Sequence, residues 1–159
     1  MPDMLVPLYR PNNWDEALKA CAAKGITIRP ALAPERRIVV EWVAERWGDG
    51  WAGETETGFS STPPRVLVAV KEGALLGFAC HDVTARGFFG PTGVDETQRK
   101  QGIGTALLFA TLGAMKVRGY AYAIIGAAGP VAFYERMVAA IPIPSSEPGI
   151  YAGLVKPER

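Results

Sequence analysis

Gly102 and Gly104 follow a basic pair, Arg99 and Lys100, and open a long apolar run in VDETQRKQGIGTALLFATL, residues 94–112. A helix that starts there leaves its first N–H groups without intrahelical partners and carries partial positive charge at that end. Glycine lets a ligand approach the main chain with no Cβ in the way. The combination suits a diphosphate. It equally suits a plain tight turn from a strand into a buried helix, and on these residues alone both readings stand. Two other phosphate cradles are excluded. GxxxxGK[ST] is absent, and Leu107 occupies the place of the third glycine in GxGxxG.

The elements around the bend follow from pattern. RVLVAV and LLGFACHDV flank KEGA, a hairpin signal. GFFGPTGV continues as a strand, and Pro91 and Gly93 predict a bulge or splay within it, because proline cannot donate to a ladder. Residues 102–118 form a helix closed by Gly119 and apolar on most sides, hence buried. YAYAIIGA is a buried strand, GPVAFYERMVA a short helix, and AIPIP and GIYAGLV two last strands around SSEPG. Upstream, NNWDEALKACAAKG is a helix with Asn13 and Glu16 at capping-box spacing and Gly25 at its end. ITIRPA is a short strand. APERRIVVEWVAERW is a helix with Pro34 first, Gly48 after its end, and Ile38, Val39, Trp42 and Val43 on its apolar face. GDGWAGETETGFSSTPP, polar and glycine-rich, is a loop with at most one helical turn. The sum is a mixed α/β domain, a mixed sheet with helices on both faces.

The totals bound the function. At 159 residues a single domain is expected. A net charge of +1 provides no field to attract nucleic acid or a membrane. The two cysteines, Cys21 and Cys80, form no CxxC, so neither a disulfide framework nor a metal site is expected. The opening residues lack the basic and apolar regions of a signal peptide, and the apolar stretches are too short or too interrupted to span a bilayer, which makes the expected location cytoplasmic.

GPTGVDETQRKQGIGTALL contains R-x-x-G-x-G and resembles the acetyl-CoA signature of the GNAT N-acetyltransferase superfamily. The resemblance continues through YAYAIIG and through Phe133-Tyr134-Glu135 in the last helix, and covers roughly residues 26–155. It implies a GNAT-like domain over residues 26–159 preceded by an extension, residues 1–25, with one short helix. The fold implied is a central, mostly antiparallel sheet of about six to seven strands with a V-shaped splay. The extension's helix is read as a cap on the sheet or a homodimer contact. The cofactor implied is acetyl-CoA or another acyl-CoA, with no metal. Backbone groups of Thr92, Gly93 and Val94 would pair with the pantetheine arm. N–H groups of Lys100, Gln101, Gly102, Ile103, Gly104 and Thr105 would hold the diphosphate, with Arg99 at the motif's first basic position.

The reaction implied is direct transfer of the acetyl group to an amine. Tyr134 aligns with the family's acid, and a phenol of pKa about 10 can protonate a thiolate whose conjugate acid is near 8.5. A packing role is the other reading of that residue. The strand YAYAIIG lacks the carboxylate that many members carry, Ala127 stands in place of an asparagine, and Val138-Ala139 in place of Gly-Phe. An alkyl amine of pKa about 10.4 is only about one part in 2,500 neutral at pH 7, a cost of about 4.6 kcal/mol. Remote groups that could receive the proton are His81, Asp82, Glu54 and Glu56; His81 and Asp82, as strand neighbours, point to opposite faces unless the strand is distorted. The acceptor side is marked by Trp47, Trp51, Glu54 and Glu56, aromatics and carboxylates that suit a cationic amine and equally suit a solvated loop anchored by tryptophans. The alternatives to an acyltransferase are an acyl-CoA-binding sensor that does not turn over and a domain for a different nucleotide.

Overall fold

In the computed structural model, which describes residues 1–158, apolar side chains alternate along two strands, β3 (Val66–Lys71) and β4 (Ala74–His81), and the KEGA turn joins them as a hairpin. Leu67, Ala69 and Ala79 face one core, whereas Val66, Val68, Phe78 and Cys80 face another. Burial on both faces is what makes these strands near-continuous apolar runs. The sheet has seven strands in the order β2-β3-β4-β5-β6-β1-β7, with β1 (Met4–Pro7), β2 (Thr27–Pro30), β5 (Phe88–Val94), β6 (Tyr122–Ile125) and β7 (Ile141–Pro142). Only β5 and β6 run parallel.

Five helices cover it: α1 (Trp14–Ala23), α2 (Arg36–Trp47), α3 (Asp49–Gly58), α4 (Ile103–Val117) and α5 (Val131–Val138). α4 is the central buried helix, as its near-uniform apolarity predicts, and α1 lies on it, with Trp14 stacked on Phe109 at 5.4 Å. α5 joins the same core through Tyr134 and Val138. On the other face, α2 contributes Val39 and Val43, with Trp42, Trp47 and Trp51 packed beside them. No helix among the described residues is long and apolar enough to cross a membrane.

Several expectations are corrected. The segment after Gly48 is a ten-residue helix, α3, and not a loop. Its buried Ala52, Thr55 and Gly58 recur every third residue, so packing against the sheet overrides its glycines. Ile38 is 64% exposed and lies off the apolar face of α2. Pro34 sits in a 3-10 turn, Ala33–Glu35, that precedes α2. The capping box of α1 is not formed; Asn12 Oδ1 accepts from Trp14 N, and the Asn13 side chain donates to Glu16. GIYAGLV forms turns and exposed coil instead of a strand. Tyr122 is exposed, so β6 is buried only in part. The first 25 residues hold a strand besides the expected helix: β1 lies between β6 and β7, with Met4 and Val6 fully buried.

Gly58 shows how tightly α3 sits. A Cβ there would stand 2.5 Å from Val66 Cγ2 and 3.4 Å from the Arg65 carbonyl oxygen. Gly58→Ala is expected to cost about 1–3 kcal/mol through overpacking. It should appear as a lower denaturant midpoint with an unchanged slope.

Candidate active site

The residues between β5 and α4 are folded by their own short-range bonds. Asp95 caps a 3-10 turn, Glu96–Gln98, accepting from Thr97 N at 2.9 Å and from Thr97 Oγ1 at 2.6 Å. Arg46, from α2, reaches Asp95 Oδ2 through Nε at 2.9 Å and through its terminal nitrogen at 2.8 Å, with its guanidinium 4.1 Å from the Trp42 ring centroid. The Thr97 hydroxyl and N–H, joined by Arg46, hold the Asp95 carboxyl at about 2. Lys100 and Gly102 are left-handed, at φ 66° and 81°.

The carbonyls of this bend turn toward the protein. Gln101 O accepts from Lys24 Nζ at 2.9 Å, and Gly102 O accepts from Ala106 N at 3.0 Å with Cys21 Sγ 3.8 Å away. The N–H groups of Lys100, Gln101, Gly102, Ile103, Gly104 and Thr105 meet no acceptor among the described residues. A Cβ on Gly102 would touch nothing within 4 Å, so the approach to these amides is open. Arg99 and Lys100 are exposed beside it. A polar cleft of about 520 Å³ borders the bend on the α2 side, lined by Arg46, Trp47, Asp95, Thr97 and Arg99 among others.

β5 and β6 share only two register pairs, Phe88 with Ile124 and Phe89 with Ile125. β6 then ends, while β5 continues to Val94. The register of β5 against β4 shifts between Ala79 and His81, opposite Gly90 and Pro91, which is the irregularity predicted from Pro91. Thr92, Gly93 and Val94 therefore pair with β4 along one edge and with no strand along the other. The opening is the V-shaped splay of the sheet. Gly93 is needed where it stands, because a Cβ would lie 2.5 Å from the Trp47 ring.

Tyr134 is 7% exposed, with its ring 6.5 Å from Phe89 and 5.3 Å from Phe133. Phe89 is the last β5 residue paired with β6, so Tyr134 flanks the head of the slot. Burial raises its phenol above the ordinary value and keeps the proton on oxygen.

Trp47 and Trp51 pack 5.5 Å apart, and each lies against Phe78. Glu54 accepts from Thr84 Oγ1. Glu56 is exposed and paired with Arg36, apart from Trp47, Trp51 and Glu54.

His81 is buried, and its Nδ1 lies 2.6 Å from Asp82 Oδ2. The strand ends there with Asp82 at φ 55°, the distortion that lets neighbouring side chains meet. Burial would raise the Asp82 carboxyl, but Gly87 N, the Tyr120 hydroxyl and His81 together hold it below the usual range. Burial lowers His81, against the pull of Asp82. The unfolded chain binds a proton at about 6.5 and the folded chain only at lower pH, so this contribution to stability is complete above about 6.5 and is lost as pH falls through the window beneath it. His81→Gln is expected to flatten that part of a melting-temperature profile.

Among the described residues no group of three or more His, Cys, Asp or Glu is placed to hold a metal ion. Lys24, Arg46 and Asp95 also shape the bend, beyond the residues expected from sequence. The Asp-x-Thr spacing of an Asx turn was the one local signal for Asp95. Lys24 and Arg46 act across long stretches of chain and left none.

The model of the acetyltransferase (GNAT) family matches residues 29–138. No curated protein sequence matches the chain. The GCN5-related glucosamine N-acetyltransferase region of a fungal multi-domain GH3 β-N-acetylglucosaminidase superposes with a TM-score of 0.73 at 13% identity, over 89% of this chain and 19% of that one. A GCN5-related N-acetyltransferase from Sphaerobacter thermophilus gives 0.66 at 24% identity, over 89% and 48%. One from Kribbella flavida gives 0.54 at 20% identity, over 89% and 53%. The chain spans about half or less of the length of these structures, and their likeness to it is one of fold.

Proposed function

This chain belongs to the GNAT acetyltransferase family, and from that premise we propose that it transfers an acetyl group from acetyl-CoA to a primary amine by direct attack. One observation carries the proposal. A run of unpartnered main-chain amides, residues 100–105, continues directly from a strand edge that has lost its neighbour, residues 92–94. A diphosphate fits the first and an extended amide-bearing arm fits the second, and the two lie in the order in which CoA joins them.

The thioester supplies an activated carbonyl and a sulfur leaving group. The chain supplies the rest. N–H groups of Lys100 through Thr105 bind the diphosphate, with Arg99 adding charge beside them. The main chain of Thr92, Gly93 and Val94 holds the arm, and an N–H at Gly93 or Val94 can polarise the carbonyl. The Tyr134 hydroxyl, at the head of the slot, gives its proton to the leaving sulfur. Trp47, Trp51 and Glu54 form the acceptor side.

The test has two stages. CoA, acetyl-CoA and longer acyl-CoAs should each raise the melting temperature, and ATP and NAD should not. Stabilisation at 100 times Kd is about 2.7 kcal/mol, or roughly 5–10 °C for a chain of this size. Acetyl-CoA is then offered to glucosamine, spermidine and a lysine peptide while thiol release is followed. The absence of a carboxylate from β6 favours a second reading, an acyl-CoA sensor. That reading predicts the thermal shift without thiol release. Stabilisation by ATP or NAD and by no CoA species would sink both.

A further inference from the structure

Phe88 and Phe89 are consecutive on β5, so their side chains leave opposite faces of the sheet. Phe89 leads to Tyr134. Phe88 leads to a different group of residues. Its ring lies 2.9 Å from where a Cβ on Gly126 would stand, and the Tyr151 hydroxyl lies 3.3 Å from the same point. Gly126 directly follows Ile125, the residue at which the pairing of β6 with β5 stops. Burial raises the Tyr151 phenol, with the neighbouring Thr84 and Glu54 acting on it in lesser measure, and Thr84 Oγ1 donates to Glu54 Oε1 at 2.5 Å. Glu54 comes from α3, Thr84 from the β4–β5 connection and Tyr151 from the segment after β7, and they gather at the head of the slot on the face opposite Tyr134.

Two further features of Glu54 bear on its role. Like several other carboxylates, it pairs with no Lys or Arg among the described residues, whereas Glu35 and Glu56 each have an arginine. It also lies one helical turn from Trp51, which packs on Trp47, which in turn covers Gly93 of the open strand edge. A carboxylate without a protein cation, one helical turn from tryptophans that border the slot, can seat an ammonium group.

The geometry points to Glu54 as the residue that holds the acceptor's ammonium and takes its proton, with Thr84 and Tyr151 positioning the carboxylate. This rests on the acyl-transfer reading. The atoms balance as follows. The ammonium gives one proton to Glu54, which passes it to water. The nitrogen lone pair forms the C–N bond, and the C–S bond breaks with its electron pair remaining on sulfur. Tyr134 protonates that sulfur and is reprotonated by the second proton shed from nitrogen. An amide, a free thiol and one released proton result.

The experiment compares the parent chain with Glu54→Gln and Tyr151→Phe. A glutamine oxygen still accepts from Thr84, so the fold is kept while the base is lost. For glucosamine, spermidine or a lysine peptide, Glu54→Gln should lower kcat/KM by about 10²–10³-fold, with the calorimetric Kd for acetyl-CoA within about twofold of the parent. The deficit should shrink as pH rises toward about 10, where solvent supplies neutral amine. Tyr151→Phe should raise the amine KM severalfold with kcat little changed. If no amine in the panel is accepted, the slow hydrolysis of acetyl-CoA, in which water takes the place of the amine, gives the result through the same predicted loss in Glu54→Gln. Equal rates in parent and Glu54→Gln, or a deficit that does not change with pH, would overturn the assignment while leaving acyl transfer intact. Failure of the parent to bind acetyl-CoA would overturn both.

Discussion

Tyr134→Phe is expected to lower turnover by about 10²–10⁴-fold and to leave the Kd for CoA within about twofold. The substitution removes one oxygen and keeps the ring that packs on Phe89 and Phe133. Among the described residues the hydroxyl makes no hydrogen bond whose loss would unsettle the fold, so the melting temperature should hold. Burial has already raised the phenol, so at neutral pH the oxygen carries a proton to give. A sulfur leaving with its electron pair beside this buried phenol is stabilised by taking its proton. The packing reading of Tyr134 predicts otherwise: a change of threefold or less in turnover, with any loss appearing in stability. Thiol release under saturating acetyl-CoA, read beside a thermal melt, separates the two. Acceptors of lower pKa should not rescue the variant, because the missing step is at sulfur and not at nitrogen.

Local chemistry made part of this architecture legible. The hairpin of β3 and β4 was announced by alternating apolar runs around KEGA, and α4 by an apolar run between Gly102 and Gly119. The irregularity in β5 followed from Pro91 and Gly93. What escaped was decided at long range. α3 carries Gly50, Gly53 and Gly58 and is helical because one side of it meets the sheet, a reason invisible within its own residues. β1, with Pro2 before it and Pro7 as its last residue, is a strand because β6 and β7 lie ready on either side, more than a hundred residues away in sequence. The site divides along the same line. The bend with its open amides is a local motif, legible at Gly102 and Gly104. Glu54 could be named by residue type, but Tyr151 could not, since only the assembled fold brings the last segment to Gly126.

The second large effect is expected from Gly104→Asp, because it separates helix stability from diphosphate binding. Gly104 lies in the first turn of α4, where a carboxylate meets the positive end of the helix and stabilises it by about 0.3–1 kcal/mol. A Cβ there would be 3.7 Å from Val94 Cγ2, an ordinary contact, and the position requires no left-handed backbone. The variant should therefore fold at least as well as the parent. Its carboxylate, however, stands among the amides of residues 100–105, where the proposed diphosphate needs to be. Like charges about 4 Å apart repel by roughly 4 kcal/mol at an effective dielectric of about 20, or about a thousandfold in affinity before screening. Calorimetry should show CoA binding weakened about 10²–10³-fold, and part of the loss should return as rising salt screens the repulsion. Gly104→Asn carries the same shape without the charge and should lose far less. If these amides only start a helix, both substitutions leave CoA binding unchanged, and the Asp variant is simply the more stable protein.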